Sequence, residues 1–162
     1  MKQIKDQTQI QLTTMHVPHM LNEAYHYEDP ACAFSRGMRC QIGDTVLLFL
    51  SGTASVDHRG RSIHPGDFKA QARRMYHNLT ALLESEGATW RDVIKILVFI
   101  ADMRYYRAFN EIRTAFFKSQ RLKQLPASSC VEARLCRPDL LVESELIAVL
   151  PSHRATAKKK RR

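Results

Sequence analysis

The sequence contains only four cysteines, and their arrangement argues against a metal site and against a disulfide framework. Cys32, Cys40, Cys130 and Cys136 include no CxxC pair, the spacing in which many zinc sites present their cysteine ligands. A chain of 162 residues also differs from the short secreted domains that depend on disulfides. We therefore predict reduced thiols, no metal ion and no structural disulfide.

Long apolar runs and a secretory leader are also missing. The longest apolar runs, residues 46–50 and 96–101, are far shorter than the roughly 20 residues of a membrane-spanning helix. Residues 1–5 include two lysines and a glutamine and lack the apolar centre of a signal peptide. These absences predict a cytoplasmic protein with no membrane partner.

The chain has six glycines, and they form no phosphate-binding loop. Gly52, Gly60 and Gly66 match neither the GxGxxG nor the Walker spacing, so their backbone amides are not arranged to hold a nucleotide phosphate. We therefore predict no cofactor of this class.

Positive charge is abundant but concentrated at one end of the chain. The formal net charge is +9, and Arg154 together with residues 158–162 accounts for six of these charges, which leaves +3 for the rest. A short run of like charges is typical of a solvated tail. We assign residues 152–162 to a disordered basic tail that makes weak, salt-dependent contacts with polyanions. With so little charge on the body, RNA binding or cleavage is the least favoured function.

Apolar periodicity predicts a single α+β domain over residues 28–151, preceded by an arm of uncertain structure over residues 1–27. Asp67 is placed to cap a helix that ends at Gly87, and Asp102 is placed to cap a second helix. Strands are predicted over residues 10–14 (as an edge), 34–40, 45–51, 93–101, 129–135 and 140–150. Two helices can cover one face of such a sheet.

The second face of the sheet is predicted to be apolar as well. Residues 45–51, 93–101 and 146–150 are apolar at both odd and even positions, which indicates strands buried on both faces. We expect another copy of the chain to cover the face that the helices leave open. The alternative is a monomer in which the N-terminal arm fills that face.

Several motifs follow one another along the chain at characteristic spacings. They are Leu50-Ser51-Gly52, residues 82–88, residues 93–100, Asn110, Pro126-Ala127-Ser128-Ser129-Cys130-Val131-Glu132 and residues 141–145. Together they resemble the RidA/YjgF family over about residues 34–150. The resemblance implies a chorismate-mutase-like fold with a mixed sheet and a homotrimer with three clefts between subunits. It also implies cofactor-free hydrolysis of enamines and imines released by pyridoxal-phosphate enzymes, to a ketoacid and ammonia.

The resemblance assigns roles to individual positions. Glu143 matches the glutamate that handles protons and the attacking water. Substrate contacts are implied for the backbone around Ser51 and Gly52 and for Asn110 and Cys130, and we expect the backbone as far as Thr53 to hold polar substrate atoms. The chain departs from typical deaminases at Ser128, where they have the arginine that grips the substrate carboxylate, and at Phe34, which replaces a tyrosine. A serine hydroxyl cannot reproduce the two-pronged, charged contact of a guanidinium group.

A second resemblance connects the chain to the C-terminal half of chorismatases, which hydrolyse the enolpyruvyl ether of chorismate on a RidA-like fold. Residues 49–55, 64–67 and 135–143 carry it. Glu143 again matches the active-site glutamate, and Cys136 matches a cysteine of the cleft. Residues 33–36 also resemble a chorismatase segment, so Arg36 is a candidate for the anion contact that Ser128 lacks, and Arg137 is a second candidate.

The leading hypothesis is a hydrolase acting on a small carboxylate-bearing enamine, imine or enol ether. Glu143 falls within an apolar strand, where loss of hydration raises a carboxyl pKa towards the range useful for proton transfer. The simpler interpretation is an exposed strand glutamate, or one paired with Arg134 or Arg137. The alternative function is a non-enzymatic, metabolite-binding or regulatory trimer.

Overall fold

Six strands and three α-helices lie in residues 9–27 and 31–157, the parts of the chain that the computed structural model describes. The strands are β1 (Ile10–Thr14), β2 (Gly37–Ile42), β3 (Thr45–Ala54), β4 (Val93–Ile100), β5 (Ala127–Glu132) and β6 (Val142–Pro151). The helices are α1 (Phe68–Ser85), α2 (Tyr106–Ser119) and α3 (Ser152–Ala157). Short 3-10 helices span Ala24–His26, Trp90–Asp92 and Met103–Tyr105.

The strands form one mixed sheet in the order β1-β2-β3-β6-β4-β5. Every neighbouring pair is antiparallel except β4 and β5, which are parallel. A parallel pair needs a crossover connection, and α2 supplies it. This architecture confirms the predicted α+β class and the mixed sheet.

The boundaries of α1 follow local capping chemistry, as the sequence predicts. The Asp67 carboxylate accepts a hydrogen bond from the Ala70 amide at 2.9 Å. At the other end Gly87 has a φ of 77°, and the amide of Ala88 donates to Leu83 O at 3.0 Å. The second predicted cap, Asp102, accepts from the Arg104 amide and starts the 3-10 turn from which α2 continues.

Both long helices pack on the same face of the sheet, which confirms the predicted layering. Alternate residues of the three central strands point into this layer and are buried. The core formed with the helices includes Val46, Leu48, Leu50, Ile96, Val98, Ile100, Leu146, Ala148, Met75, Leu79, Leu82 and Phe109.

The opposite face of the sheet is apolar and more exposed. The register places Leu47 and Phe49 of β3 beside Val149 and Ile147 of β6, and Phe49 is 44% exposed. Residues 10–14 of the arm pair with β2 as an edge strand, so this part of the arm extends the sheet instead of covering its open face. Residues 10–14 therefore do not fill that face as the monomer alternative requires of the arm.

The predicted disordered tail is wrong in its first part. Ser152–Ala157 forms α3, and Arg154 donates from Nη1 and Nη2 to the two oxygens of Asp92, at 2.6 and 2.9 Å. Asp92 is 8% exposed, and this ion pair ties the segment to the domain. Residues 1–8, 28–30 and 158–162, including the basic run, lie outside the described residues.

Candidate functional site

A bulge at Ser51 and Gly52 interrupts the pairing between β3 and β6. Leu50 pairs with Leu146 and Thr53 pairs with Ser144, so β3 carries one extra residue across this stretch. A Cβ atom on Gly52 would overlap Oε1 of Glu143. The missing side chain of Gly52 therefore lets the Glu143 carboxylate lie directly against the bulged backbone.

Glu143 is half-buried on the open face of the sheet. Burial raises the pKa of its carboxyl, the positive charges of Arg36 and Arg137 oppose this rise, and the charge of Glu145 adds to it. The net shift is upward. The Glu143 carboxyl therefore changes between its charged and neutral forms at a pH closer to neutral than that of an ordinary glutamate.

Arg36 is a buried cation beside this carboxyl, with 3% of its surface exposed. Its Nε donates to Asn22 O at 2.9 Å, and its guanidinium carbon lies 5.3 Å from the Tyr27 ring centre and 5.6 Å from that of Phe34. Burial lowers its pKa, while the charges of Glu23 and Glu143 raise it. Among the described residues Nη2 has no hydrogen-bond acceptor.

Arg137 lies on the other side of Tyr27, with its guanidinium carbon 5.4 Å from the ring centre. Its Nη1 donates to Gly60 O at 2.6 Å and to Ser62 Oγ at 3.3 Å. Cys136 and Arg137 line a cavity of about 730 Å³ together with the loop at residues 58–61. The sequence candidates Arg36, Arg137 and Cys136 therefore lie on the Glu143 side of the molecule.

Two of the predicted contacts near the bulge have side chains committed to the fold. Ser51 Oγ donates to Ser35 O at 2.7 Å. Thr53 is fully buried, and its Oγ1 donates to Ser51 O at 2.9 Å. Ser51 and Thr53 therefore shape the bulge through these bonds. Phe34, by contrast, is 41% exposed and can face a ligand.

A second cluster, called the Ser128 cluster below, contains the predicted residues Asn110, Ser128 and Cys130, with Arg113 at its centre. Arg113 donates from Nη2 to Asn110 Oδ1 at 2.6 Å and from Nη1 to Ser128 Oγ at 3.1 Å. Burial raises the pKa of the Cys130 thiol, and the charge of Arg113 only partly offsets this. A raised pKa disfavours the thiolate, so Cys130 suits a lining role better than nucleophilic attack.

Within one chain the two clusters are separate. Strand β4 lies between β6, which carries Glu143, and β5, which carries Ser128. Phe99 of β4 pairs with Glu143, and Ile96 of β4 pairs with Ser128. Three residues along a strand correspond to about 10 Å, and two strand spacings correspond to about 10 Å more. Ser128 faces α2 while Glu143 faces the open side. A single copy therefore does not bring its own Ser128 to its own Glu143.

The described residues contain neither a cluster of metal-ligating side chains nor a membrane-spanning helix. In residues 9–27 and 31–157 no three His, Cys, Asp or Glu side chains are grouped as a metal site requires. No helix in those ranges has the length and apolar character needed to span a membrane.

The sequence model of the endoribonuclease L-PSP family matches residues 27–150. A RutC family protein of Synechocystis sp. is 36% identical over 112 residues, which cover 68% of this chain and 84% of that protein. A RutC family protein of Pyrococcus horikoshii is 35% identical over 102 residues, which cover 63% of this chain and 78% of that protein.

Solved structures share the fold. The YjgF gene product of E. coli superposes with a TM-score of 0.66 at 28% identity, covering 85% of this chain and 98% of that one. E. coli TdcF, whose crystal structure has bound serine, gives a TM-score of 0.68 at 26% identity, with coverages of 85% and 98%. The match over most of its length and the shared fold show that the chain belongs to the endoribonuclease L-PSP family, also called the RidA/YjgF family.

Proposed function

We propose that the protein hydrolyses a small carboxylate-bearing enamine, imine or enol ether, with Glu143 as the general acid and base. The observation that carries this proposal is the half-buried Glu143 carboxyl, with its raised pKa, lying against the bulged backbone at Gly52. A group that moves protons near neutral pH works best when its pKa is close to that pH. Arg36 and Arg137 add positive charge beside it.

The chemistry requires only water and one carboxyl group. For an imine, the Glu143 carboxylate accepts a proton from water as the water oxygen bonds to the C=N carbon, and it passes that proton to the nitrogen. The hydroxyl proton follows the same route as the C–N bond breaks and the C=O bond forms, which yields a ketoacid and ammonia. For an enol ether, the protonated carboxyl donates its proton to the terminal C=C carbon, and water adds to the other carbon while returning a proton to the carboxylate. The hemiketal then breaks its C–O bond to the alcohol, which leaves with the hydroxyl proton as the C=O bond of the ketoacid forms.

The cleft is proposed to form between copies of the chain. Two observations support this assembly: the sheet has an open apolar face, and the two clusters of candidate residues lie on opposite faces of that sheet. Because β5 is an edge strand, a second copy that covers the open face and extends past this edge would bring the Ser128 cluster of one copy to Glu143 of another. The family resemblance implies a homotrimer, which sedimentation or light scattering tests directly.

A non-enzymatic, metabolite-binding trimer is the second candidate, and Ser128 is the observation that favours it. The residue has no charge, and its hydroxyl is already engaged by Arg113. In that case the protein would bind a small carboxylate without turning it over.

The test is ammonia release from 2-iminobutyrate generated in situ, with pyruvate release from chorismate measured alongside. Glu143→Gln keeps the shape of the side chain and removes its proton chemistry, so it should abolish whichever reaction the wild type catalyses. Glu111→Gln makes the same change on the exposed side of α2 and should leave turnover unaltered. Full activity in Glu143→Gln would overturn the assignment, and no activity in the wild type would favour the binding function.

A further inference from the structure

Arg113 of α2 has a guanidinium group that neutral side chains hold in one position. Asn110 and Ser128 accept its two hydrogen bonds, and its carbon lies 5.3 Å from the centre of the Phe109 ring. Both of these acceptors are neutral, so they orient the guanidinium group without offsetting its positive charge.

A cavity of about 480 Å³ opens beside this group. Arg113 and Lys118 give it positive charge, Ser128 gives it a hydroxyl, and Leu125 and Pro126 give it an apolar wall. Small-molecule sites combine such an apolar wall with a few convergent polar groups. The composition suits a small anion that carries a short apolar chain.

The donors of Arg113 also suit a carboxylate. A guanidinium has five N–H groups, and a two-pronged contact with a carboxylate uses two of them. Arg113 spends one on Asn110 and one on Ser128, so three remain. Arg36 is nearly fully buried, with 3% of its surface exposed, whereas Arg113 is partly exposed and lines the cavity. A carboxylate entering from solvent therefore reaches Arg113 more readily than Arg36.

We propose that Arg113 binds the carboxylate of the substrate, supplying from α2 the guanidinium that typical deaminases carry at the position of Ser128. The inference rests on the proposed function, because the Glu143 that acts on the bound molecule comes from a second copy. Ser128 is then a positioning residue: its small size leaves room for Arg113, and its hydroxyl orients the guanidinium. An arginine at both positions would place two like charges in contact.

The test measures binding separately from turnover. Isothermal titration with 2-oxobutyrate, a stable ketoacid, reports the carboxylate contact, and 2-butanone serves as a probe without the carboxylate. Arg113→Gln should weaken 2-oxobutyrate binding by about 10- to 100-fold. Arg113→Lys should bind with an affinity between those of the wild type and Arg113→Gln, because lysine keeps the charge but loses the two-pronged contact. Arg107→Gln, on the exposed side of the same helix, should bind like the wild type.

A relocated charge gives the sharpest comparison. The double variant Arg113→Ala with Ser128→Arg should recover binding that Arg113→Ala alone has lost, and light scattering should give the wild-type mass for every variant. If Arg113→Gln loses 2-oxobutyrate but the wild type hydrolyses no imine, the Arg113 site stands and the proposed hydrolase function fails. Unchanged affinity in Arg113→Gln, or no 2-oxobutyrate binding by the wild type, would overturn the Arg113 proposal. The hydrolase proposal would then depend on the imine assay alone.

Discussion

Replacing Gly52 by alanine puts a methyl group where the Glu143 carboxylate lies. The added Cβ would overlap Glu143 Oε1, and its next contacts are atoms of the same side chain. The obstacle is therefore the far end of a flexible side chain. Gly52 has no positive φ, so alanine is compatible with its backbone conformation. In Gly52→Ala the main chain should stay in place and the carboxylate should move.

The two consequences differ greatly in size. Forcing a side chain off its preferred rotamer costs about 1 kcal/mol, and we expect the free energy of unfolding to fall by that amount. Displacing a catalytic group by about 1 Å can reduce the rate by about 100-fold. Gly52→Ala should therefore lose about two orders of magnitude in kcat/KM with little loss of stability.

Gly43→Ala is the matched control for this prediction. Gly43 has a φ of 53°, and a Cβ atom built on it meets no atom within 4 Å. Alanine there costs about 1 kcal/mol through the left-handed backbone alone. Urea unfolding should give similar stability losses for the two variants, and imine hydrolysis should fall only in Gly52→Ala. Wild-type kcat/KM in Gly52→Ala would refute a catalytic carboxylate at the bulge.

Three further predictions concern stability and charge. Burial raises the pKa of Glu143 in the folded chain, so the charged carboxylate destabilises the fold at any pH above the ordinary carboxyl pKa. Glu143→Gln should therefore be more stable than wild type at pH 7. Urea unfolding should show that this gain in stability vanishes below about pH 4. A less stable Glu143→Gln at pH 7 would contradict this sign. Arg154→Ala breaks the ion pair with Asp92 and should lower the free energy of unfolding by about 1 kcal/mol, and by less at high salt. Equal urea midpoints for the variant and the wild type would count against a stabilising role of this pair. Deletion of residues 158–162 should abolish retention on heparin and leave imine turnover unchanged, and retention of the truncated chain would locate polyanion binding elsewhere.

The features that were predictable from sequence depend on local chemistry or on continuous patterns. Asp67 and Gly87 mark the ends of α1 because capping needs only residues within one turn of the helix end. The apolar runs that became β3 and β4 identify central strands because both their faces are apolar. Glu143 was expected to have a raised pKa from its place in such a strand, and the direction agrees.

The features that the sequence concealed depend on contacts between distant residues. Arg113 belongs to the Ser128 cluster because the crossover from β4 through α2 to β5 places the helix over that strand. One signal was available, since Asn110 lies three positions earlier on the same helix face. Arg154 contacts Asp92 across 62 residues, whereas the basic composition of residues 158–162 suggested that the whole segment is a tail.

The burial of Arg36 was hidden for the same reason. The side-chain partners around it come from the arm before β2, including Glu23 and Tyr27. That arm is polar and has no clear periodicity, so no sequence pattern indicated that it wraps around a cation. The arm thus helps to build the environment of Glu143.

The most direct test of the central claim, a cleft that takes Glu143 from one copy and the Ser128 cluster from another, is subunit complementation. Glu143→Gln and Arg113→Gln chains are unfolded together, refolded as a mixture, and assayed for imine hydrolysis at low substrate concentration. If each cleft draws its two halves from different copies, about a quarter of the clefts in an equal mixture are intact, and activity should return to about that fraction of wild type. A mixture no more active than the separate variants would contradict the shared cleft.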